Sequence, residues 1–181
     1  MEAVKTFCTA FVIATMGSAF LVTPVLAQKI LHDAGPAGEK MDCSGSERSK
    51  QQVSSDAIKP GDRPDHVLVQ FVRIDVYSSN NPEFDGSEVT WYGHIDGIAA
   101  YGAHSGYQAQ TLKSGETLWA QFDGVGYTVG TRDAWEIRYQ GLFHFVGGTG
   151  KYKAIRGGGY YSGVLTPAGV NEEIPVCSAE Y

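Results

Sequence analysis

The sequence predicts an all-β domain that folds as a sandwich or as a closed barrel. Its second half carries short segments rich in β-branched and aromatic residues, separated by turn signals such as Asn80–Gly86. The 181 residues include 23 glycines, without the Gly-x-y period of collagen. Because no long segment has the 3.6-residue periodicity of an amphipathic helix, the glycines indicate turns and bent strands.

Seven strands are predicted in chain order: His66–Tyr77, Val89–Ala100, Gly106–Leu112, Thr117–Phe122, Ala134–Val146, Gly159–Leu165 and Ile174–Ala179. The fifth has the clearest alternation. Its apolar positions are Trp135, Ile137, Tyr139, Phe143 and Phe145. Its opposite face carries Glu136, Arg138, Gln140 and His144. Successive side chains of a strand point to opposite faces, so one set faces the interior.

The N-terminal segment 1–27 is typical of a cleavable signal peptide. Met1–Lys5 carries a lysine, Phe7–Val22 is apolar, and Val25 and Ala27 fit the −3 and −1 positions of a cleavage site. We therefore expect export to the periplasm or the extracellular medium, with no membrane span after cleavage. The alternatives are a buried helix or an uncleaved anchor, for which the apolar stretch is marginal in length.

The mature chain divides into an extended N-terminal arm, residues 28–64, and a β-barrel domain, residues 65–181. The arm is polar and has no sustained periodicity. Two cysteines remain after cleavage, Cys43 in the arm and Cys177 near the C-terminus. In an oxidising compartment an isolated pair is most simply a disulfide, which would pin the arm to the domain. The alternative is two unpaired buried thiols.

The charge pattern limits the class of partner. The formal net charge is −6, and no run of basic residues interrupts it. Such a chain is a poor ligand for nucleic acid or for an anionic membrane surface. We expect no nucleic-acid partner.

One strand connection is more specific than the periodicity. The segment Gly147–Tyr160 reads GGTGKYKAIRGGGY and runs directly from one predicted strand to the next. It resembles a connection found in the allene oxide cyclase and dirigent protein superfamily, and with its flanking strands the resemblance spans residues 134–166. It implies a single closed antiparallel barrel of about eight strands with a lipocalin-like shape, in which Tyr152 and Ile155 plug one end. The resemblance also implies an isomerase or cyclase activity that needs few catalytic groups. It further implies a homo-oligomer that forms through the outer faces of the barrels.

No cofactor or metal is predicted. Gly148–Lys151 lacks the earlier glycine and the following Ser or Thr of a phosphate-binding loop. Three histidines, His94, His104 and His144, with Asp96, have ligand chemistry for a zinc-like ion, but their spacing is not diagnostic. Exposed histidines near strand ends are the more common arrangement.

The candidate catalytic residues are Glu136, Arg138 and His144. If their face of the fifth strand points inward, burial would raise the pKa of the carboxyl and make it a usable acid or base, while the guanidinium could hold an anion. Hydrophobic patterning favours the opposite arrangement, with this face in solvent. The candidate ligand-binding residues are Asp75, His94, Asp96, Tyr107 and Tyr139.

Three functions follow from these observations. The first is an isomerase or cyclase with a cavity for a small apolar molecule. The second is a non-catalytic binding or carrier protein for such a molecule. The third is a structural barrel whose interior is filled by side chains. An open cavity lined by an ionisable group favours the first function, and an open cavity without one favours the second.

Overall fold

A computed structural model describes residues 38–131 and 134–181, with only the backbone of 170–174. The predicted signal peptide and the arm up to residue 37 lie outside the described residues. Nine strands and one 3-10 turn, Gly150–Tyr152, make up the secondary structure of the described part. The strands are β1 Lys40–Asp42, β2 Ser46–Ile58, β3 His66–Ser78, β4 Glu88–Ile98, β5 Tyr101–Thr111, β6 Thr117–Thr131, β7 Ala134–Gly148, β8 Arg156–Thr166 and β9 Gly169–Glu180. None of the helical structure described there is long and apolar enough to cross a membrane.

All pairings are antiparallel, and from β2 to β9 each strand pairs with the next along the chain. The all-β class is therefore confirmed. The sheet curls so that β9 also reaches β1 and the start of β2, which gives a barrel with a seam. Closure by a continuous hydrogen-bonded ladder is not observed, because β2 and β9 share a single bridge pair, Glu47 with Glu173.

The seam is held together by strand pairing, a disulfide and a backbone hydrogen bond, which follow one another along β9. β1 pairs with the end of β9 from Lys40–Glu180 to Asp42–Ser178. The predicted disulfide Cys43–Cys177 follows and is confirmed, with 5.2 Å between the Cα atoms. The Gly45 amide then donates to the Pro175 carbonyl at 3.1 Å. The seam therefore depends on a covalent link at the point where the ladder is interrupted.

Two strands lie inside the segment predicted as an extended arm. β2 pairs with β3 along its whole length, so the chain from Lys40 to Ile58 is part of the sheet and not a wrapping arm. Its sequence gives no strand signal because residues 50–58 are exposed on both faces. The predicted strand Thr117–Phe122 is likewise too short. β6 continues to Thr131, and glycines at 124, 126 and 130 hide the alternation.

The interior is filled at one end of the barrel. The 3-10 turn buries Tyr152 completely, and Ile155 is 4% exposed. Both belong to one apolar cluster with Phe84, Leu112 and Leu118. This arrangement matches the plug expected from the Gly147–Tyr160 connection. The filled end leaves the opposite end of the interior as the place for a site.

Candidate functional site

The open end of the barrel holds an interior cavity of about 250 Å³. It lies beneath the β4–β5 turn and is lined by side chains of β2 to β8. Aromatic residues make up much of the wall: Phe71, Trp91, Tyr101, Phe122, Tyr127, Tyr139 and Tyr161. Trp91 packs edge-on against Phe122 and Tyr161, with ring centroids 4.7 and 5.7 Å apart.

The floor of the cavity carries a buried ion pair. Phe71, Arg73 and Asp75 alternate along β3, so all three side chains face the interior. The Arg73 guanidinium donates to the Asp75 carboxylate, with Nε–Oδ2 at 2.8 Å and Nη2–Oδ2 at 2.7 Å. The same guanidinium lies 5.1 Å from the centre of the Trp91 ring. Since Arg73 borders the cavity and Asp75 lies beneath it, a ligand would meet the cation side of the pair.

A second carboxylate is built into this floor. Glu47 on β2 is 3% exposed and accepts a 2.9 Å hydrogen bond from Trp91 Nε1. Glu47 is also close enough to Asp75 to lower the pKa of that carboxyl through a hydrogen bond. Ser49 Oγ donates to Asp75 Oδ1 at 3.3 Å. Burial raises the pKa of Asp75, although the neighbouring Arg73 opposes the shift.

His104 and Tyr161 form the polar part of the wall. They lie on β5 and β8, and His104 Nε2 is 2.7 Å from the Tyr161 hydroxyl. Burial lowers the pKa of His104 to about 4, so its imidazole is neutral at neutral pH. A neutral imidazole and a phenol can each donate or accept a hydrogen bond. The pair can therefore bind either a donor or an acceptor on a ligand.

Two glycines make this hydrogen bond possible. One row of paired residues runs across the sheet from His104 through Gly124 and Gly141 to Tyr161. A Cβ at Gly124 would lie 2.7 Å from His104 Nε2, and one at Gly141 would lie 2.4 Å from the Tyr161 hydroxyl. The side chains of His104 and Tyr161 therefore meet over the backbone of the two glycines, because a side chain at either position would separate them.

We expect Gly141→Ala to destabilise the fold by about 1–3 kcal/mol, the usual cost of overpacking an interior. Its methyl group would also lie 2.2 Å from the Asp123 carbonyl oxygen, which belongs to the backbone and cannot swing aside. Gly97→Ala is the matched control, because a Cβ there meets its nearest atom at 3.5 Å. Urea unfolding measures both variants, and equal losses in the two would contradict this account of the glycine row.

The structure separates the predicted site residues into two groups. Asp75 and Tyr139 face the interior, Asp75 in the floor and Tyr139 in the cavity wall. The others lie on the outer surface: Glu136, Arg138, His144, His94, Asp96 and Tyr107. On β7 the apolar set faces inward, as hydrophobic patterning favours, and Glu136 pairs with Arg138 at 2.7 Å outside the barrel. Glu136, Arg138 and His144 therefore lie outside the interior, and a catalytic role for them stays a prediction.

The histidines do not come together. His94 is hydrogen-bonded to Ser105 on the outer face, whereas His104 points into the barrel. Among the described residues no group of three His, Cys, Asp or Glu side chains is placed to hold a metal ion. The residues that sequence reasoning missed are Glu47, Arg73, Trp91 and Tyr161. The i, i+2 spacing of Arg73 and Asp75 in an apolar strand was the one signal available for the floor.

No protein-family model matches the sequence, and no curated protein matches it. Among solved structures, the chain is similar to a pterocarpan synthase dirigent protein, with 14% identity and a TM-score of 0.40 over 81% of this chain and 88% of that one. A similarity at this level says nothing about the activity of this chain.

Proposed function

We propose that the protein is an exported barrel that binds a small, mostly apolar molecule in its open end and rearranges it as an isomerase or cyclase without a cofactor. The observation that carries the proposal is the cavity of about 250 Å³, whose aromatic wall is interrupted by Arg73 and by the His104–Tyr161 pair. Ligand sites are mostly apolar with a few polar groups that fix orientation, and this cavity is slightly smaller than their usual volume of about 300–1,000 Å³. The disulfide supports export, since such links persist in oxidising compartments.

The polar groups suit a proton shift within one molecule. The apolar part of the ligand lies among Trp91, Phe122 and Tyr139, and its oxygen lies near Arg73, which stabilises developing negative charge there. Tyr161, hydrogen-bonded to the neutral His104, gives a proton to one atom of the ligand and takes one back from another. Such a reaction changes no oxidation state and therefore needs no redox partner.

The second candidate function is a binding or carrier protein without catalysis. It is favoured by the charge balance of the floor, because the guanidinium of Arg73 is already engaged by Asp75 at 2.7 Å. A cation that is compensated in this way polarises a ligand less than an uncompensated one. The two functions differ in whether the ligand leaves the cavity chemically unchanged.

Filling the cavity tests both functions. Val69 lines the cavity on β3, whereas the preceding residue, Leu68, is on the outer face and 37% exposed. We expect Val69→Trp to abolish binding of small aromatic compounds in native mass spectrometry of residues 28–181, and Leu68→Trp to leave it unchanged. Chromatography of the released compound then distinguishes an isomer from the starting molecule. Retained binding in Val69→Trp, or no binding by the parent protein, would overturn the proposal.

A further inference from the structure

The mouth of the cavity is bordered by a strained turn. Ala99 and Ala100 join β4 to β5, and both line the cavity. Ala99 has φ 57°, in the left-handed region that residues with a Cβ rarely adopt. Its amide donates to the Asp65 carbonyl at 2.9 Å, and the Ala100 carbonyl accepts from the Thr128 amide at 2.7 Å. A backbone conformation of this kind persists only where its surroundings hold it.

The loop that holds Ala99 is itself fastened by one histidine. His66, at the start of β3, places Nδ1 2.7 Å from Asp62 Oδ1 in the β2–β3 loop. Its Nε2 lies 2.9 Å from Asp96 Oδ1 on β4. The ring therefore connects the Asp62–Asp65 loop to the strand that leads into Ala99. The nearby Arg63 guanidinium is paired with the Asp65 carboxylate of the same loop, with Nε–Oδ1 at 2.7 Å.

Both ring nitrogens of His66 face a carboxylate, so their hydrogen bonds depend on its charge. Only the imidazolium can donate from both nitrogens, whereas a neutral ring donates from one. The hydrogen bond with Asp62, followed by that with Asp96, raises the pKa of His66 above its ordinary value of 6.5. The charged groups that face it are Asp62, Asp65 and Arg63 from the loop and Asp96 from β4.

We propose that His66 is a proton-controlled latch on the mouth of the interior cavity. The imidazolium holds the Asp62–Asp65 loop against β4, and this loop holds Ala99 in its strained conformation. Loss of the proton removes one of the two hydrogen bonds, leaves Asp62 and Asp96 less compensated, and lets the turn relax away from the mouth. The latch regulates the site of the proposed function, but its movement does not require that the cavity bind anything.

The direction of the pH dependence follows from the raised pKa. The two-sided contact stabilises the closed mouth at pH values below the ordinary histidine pKa. This stabilisation is lost as the pH rises through the pKa of His66 in the folded protein. Access to the cavity is therefore expected to increase from acid to mildly alkaline solution.

Trp91 reports on access without any ligand, because it borders the cavity and is 2% exposed. In a Trp119→Phe, Trp135→Phe background it is the remaining tryptophan. We expect acrylamide quenching of its fluorescence to increase several-fold between about pH 5 and pH 9, a range that spans histidine titration. The midpoint should equal the His66 pKa measured by NMR of the imidazole protons.

Two substitutions set the latch in opposite states. In that background His66→Gln removes the titrating group and should give strong quenching at every pH, whereas His66→Arg keeps a cation that donates to both carboxylates and should give weak quenching at every pH. His94→Gln, on the outer face of β4, is the matched control and should keep the parent pH dependence. Quenching that does not change with pH in the parent, or a pH step that survives in His66→Gln, would overturn the latch. If small aromatic compounds fail to bind while the step is present, the proposed function fails and the latch stands.

Discussion

Replacing Asp75 by alanine is expected to lower the free energy of unfolding by about 3–5 kcal/mol, the usual result of removing one partner from a buried ion pair. Asp75 is fully buried, and its carboxylate accepts two hydrogen bonds from the Arg73 guanidinium at 2.7 and 2.8 Å. Without that carboxylate the guanidinium stays in the interior with a large desolvation cost. Urea unfolding at neutral pH measures the change.

The exposed pair Glu136–Arg138 provides the matched control, because it has similar geometry at 2.7 Å but lies on the outer face. Glu136→Ala should cost no more than about 1 kcal/mol. The double variant Arg73→Met, Asp75→Leu should recover part of the loss, since apolar groups of similar volume can replace a buried pair. Equal effects of Asp75→Ala and Glu136→Ala would mean that the floor of the cavity is not shielded from solvent.

Removing the disulfide is expected to have an effect of similar size. Cys43 and Cys177 are 134 residues apart in sequence, so their link closes most of the described chain into one loop. The chain-entropy model assigns about 4–5 kcal/mol to a loop of this length, and measured losses are usually about 2–5 kcal/mol. The double variant Cys43→Ser, Cys177→Ser should unfold at a correspondingly lower urea concentration.

The position of the disulfide predicts where this loss is felt. It lies at the seam, between the β1–β9 pairs and the single bridge from β2 to β9. Amide hydrogen exchange should accelerate in all strands because the free energy of unfolding falls, and it should accelerate most in β1 and β9. A reducing agent should destabilise the parent protein and leave the serine variant unchanged. Equal acceleration in all strands would contradict an additional local role of the disulfide at the seam.

The fold could be predicted where the two faces of a strand differ. β7 alternates between apolar and polar residues, and its apolar set does face the interior. β2 could not be recognised, because most of its residues are exposed on both faces and its pairing with β3 requires no apolar pattern. The length of β6 could not be predicted, because its glycines interrupt the alternation of apolar and polar residues. Their positions are determined by side chains of neighbouring strands that pack over them, such as His104 over Gly124.

The site was harder to predict because it depends on the register of distant strands. Asp75 and Tyr139 are in the interior. The alternation of each strand was enough to place Asp75 on one face with Arg73, and Tyr139 on one face with Ile137. The contact of His104 with Tyr161 joins residues 57 apart in sequence and passes over β6 and β7. Only the pairing of His104, Gly124, Gly141 and Tyr161 in one row makes them meet, and no local pattern contains that row.

The central claim, that the open end of the barrel is a binding cavity, is tested most directly by a crystal structure of residues 28–181 soaked with phenol. Phenol has one ring that fits a cavity of about 250 Å³ and one hydroxyl that can bond to the polar wall. We expect density for the ring among Trp91, Phe122 and Tyr139, with the hydroxyl within hydrogen-bond distance of His104 or Arg73. Side chains filling the cavity, or phenol bound on the outer surface alone, would contradict it.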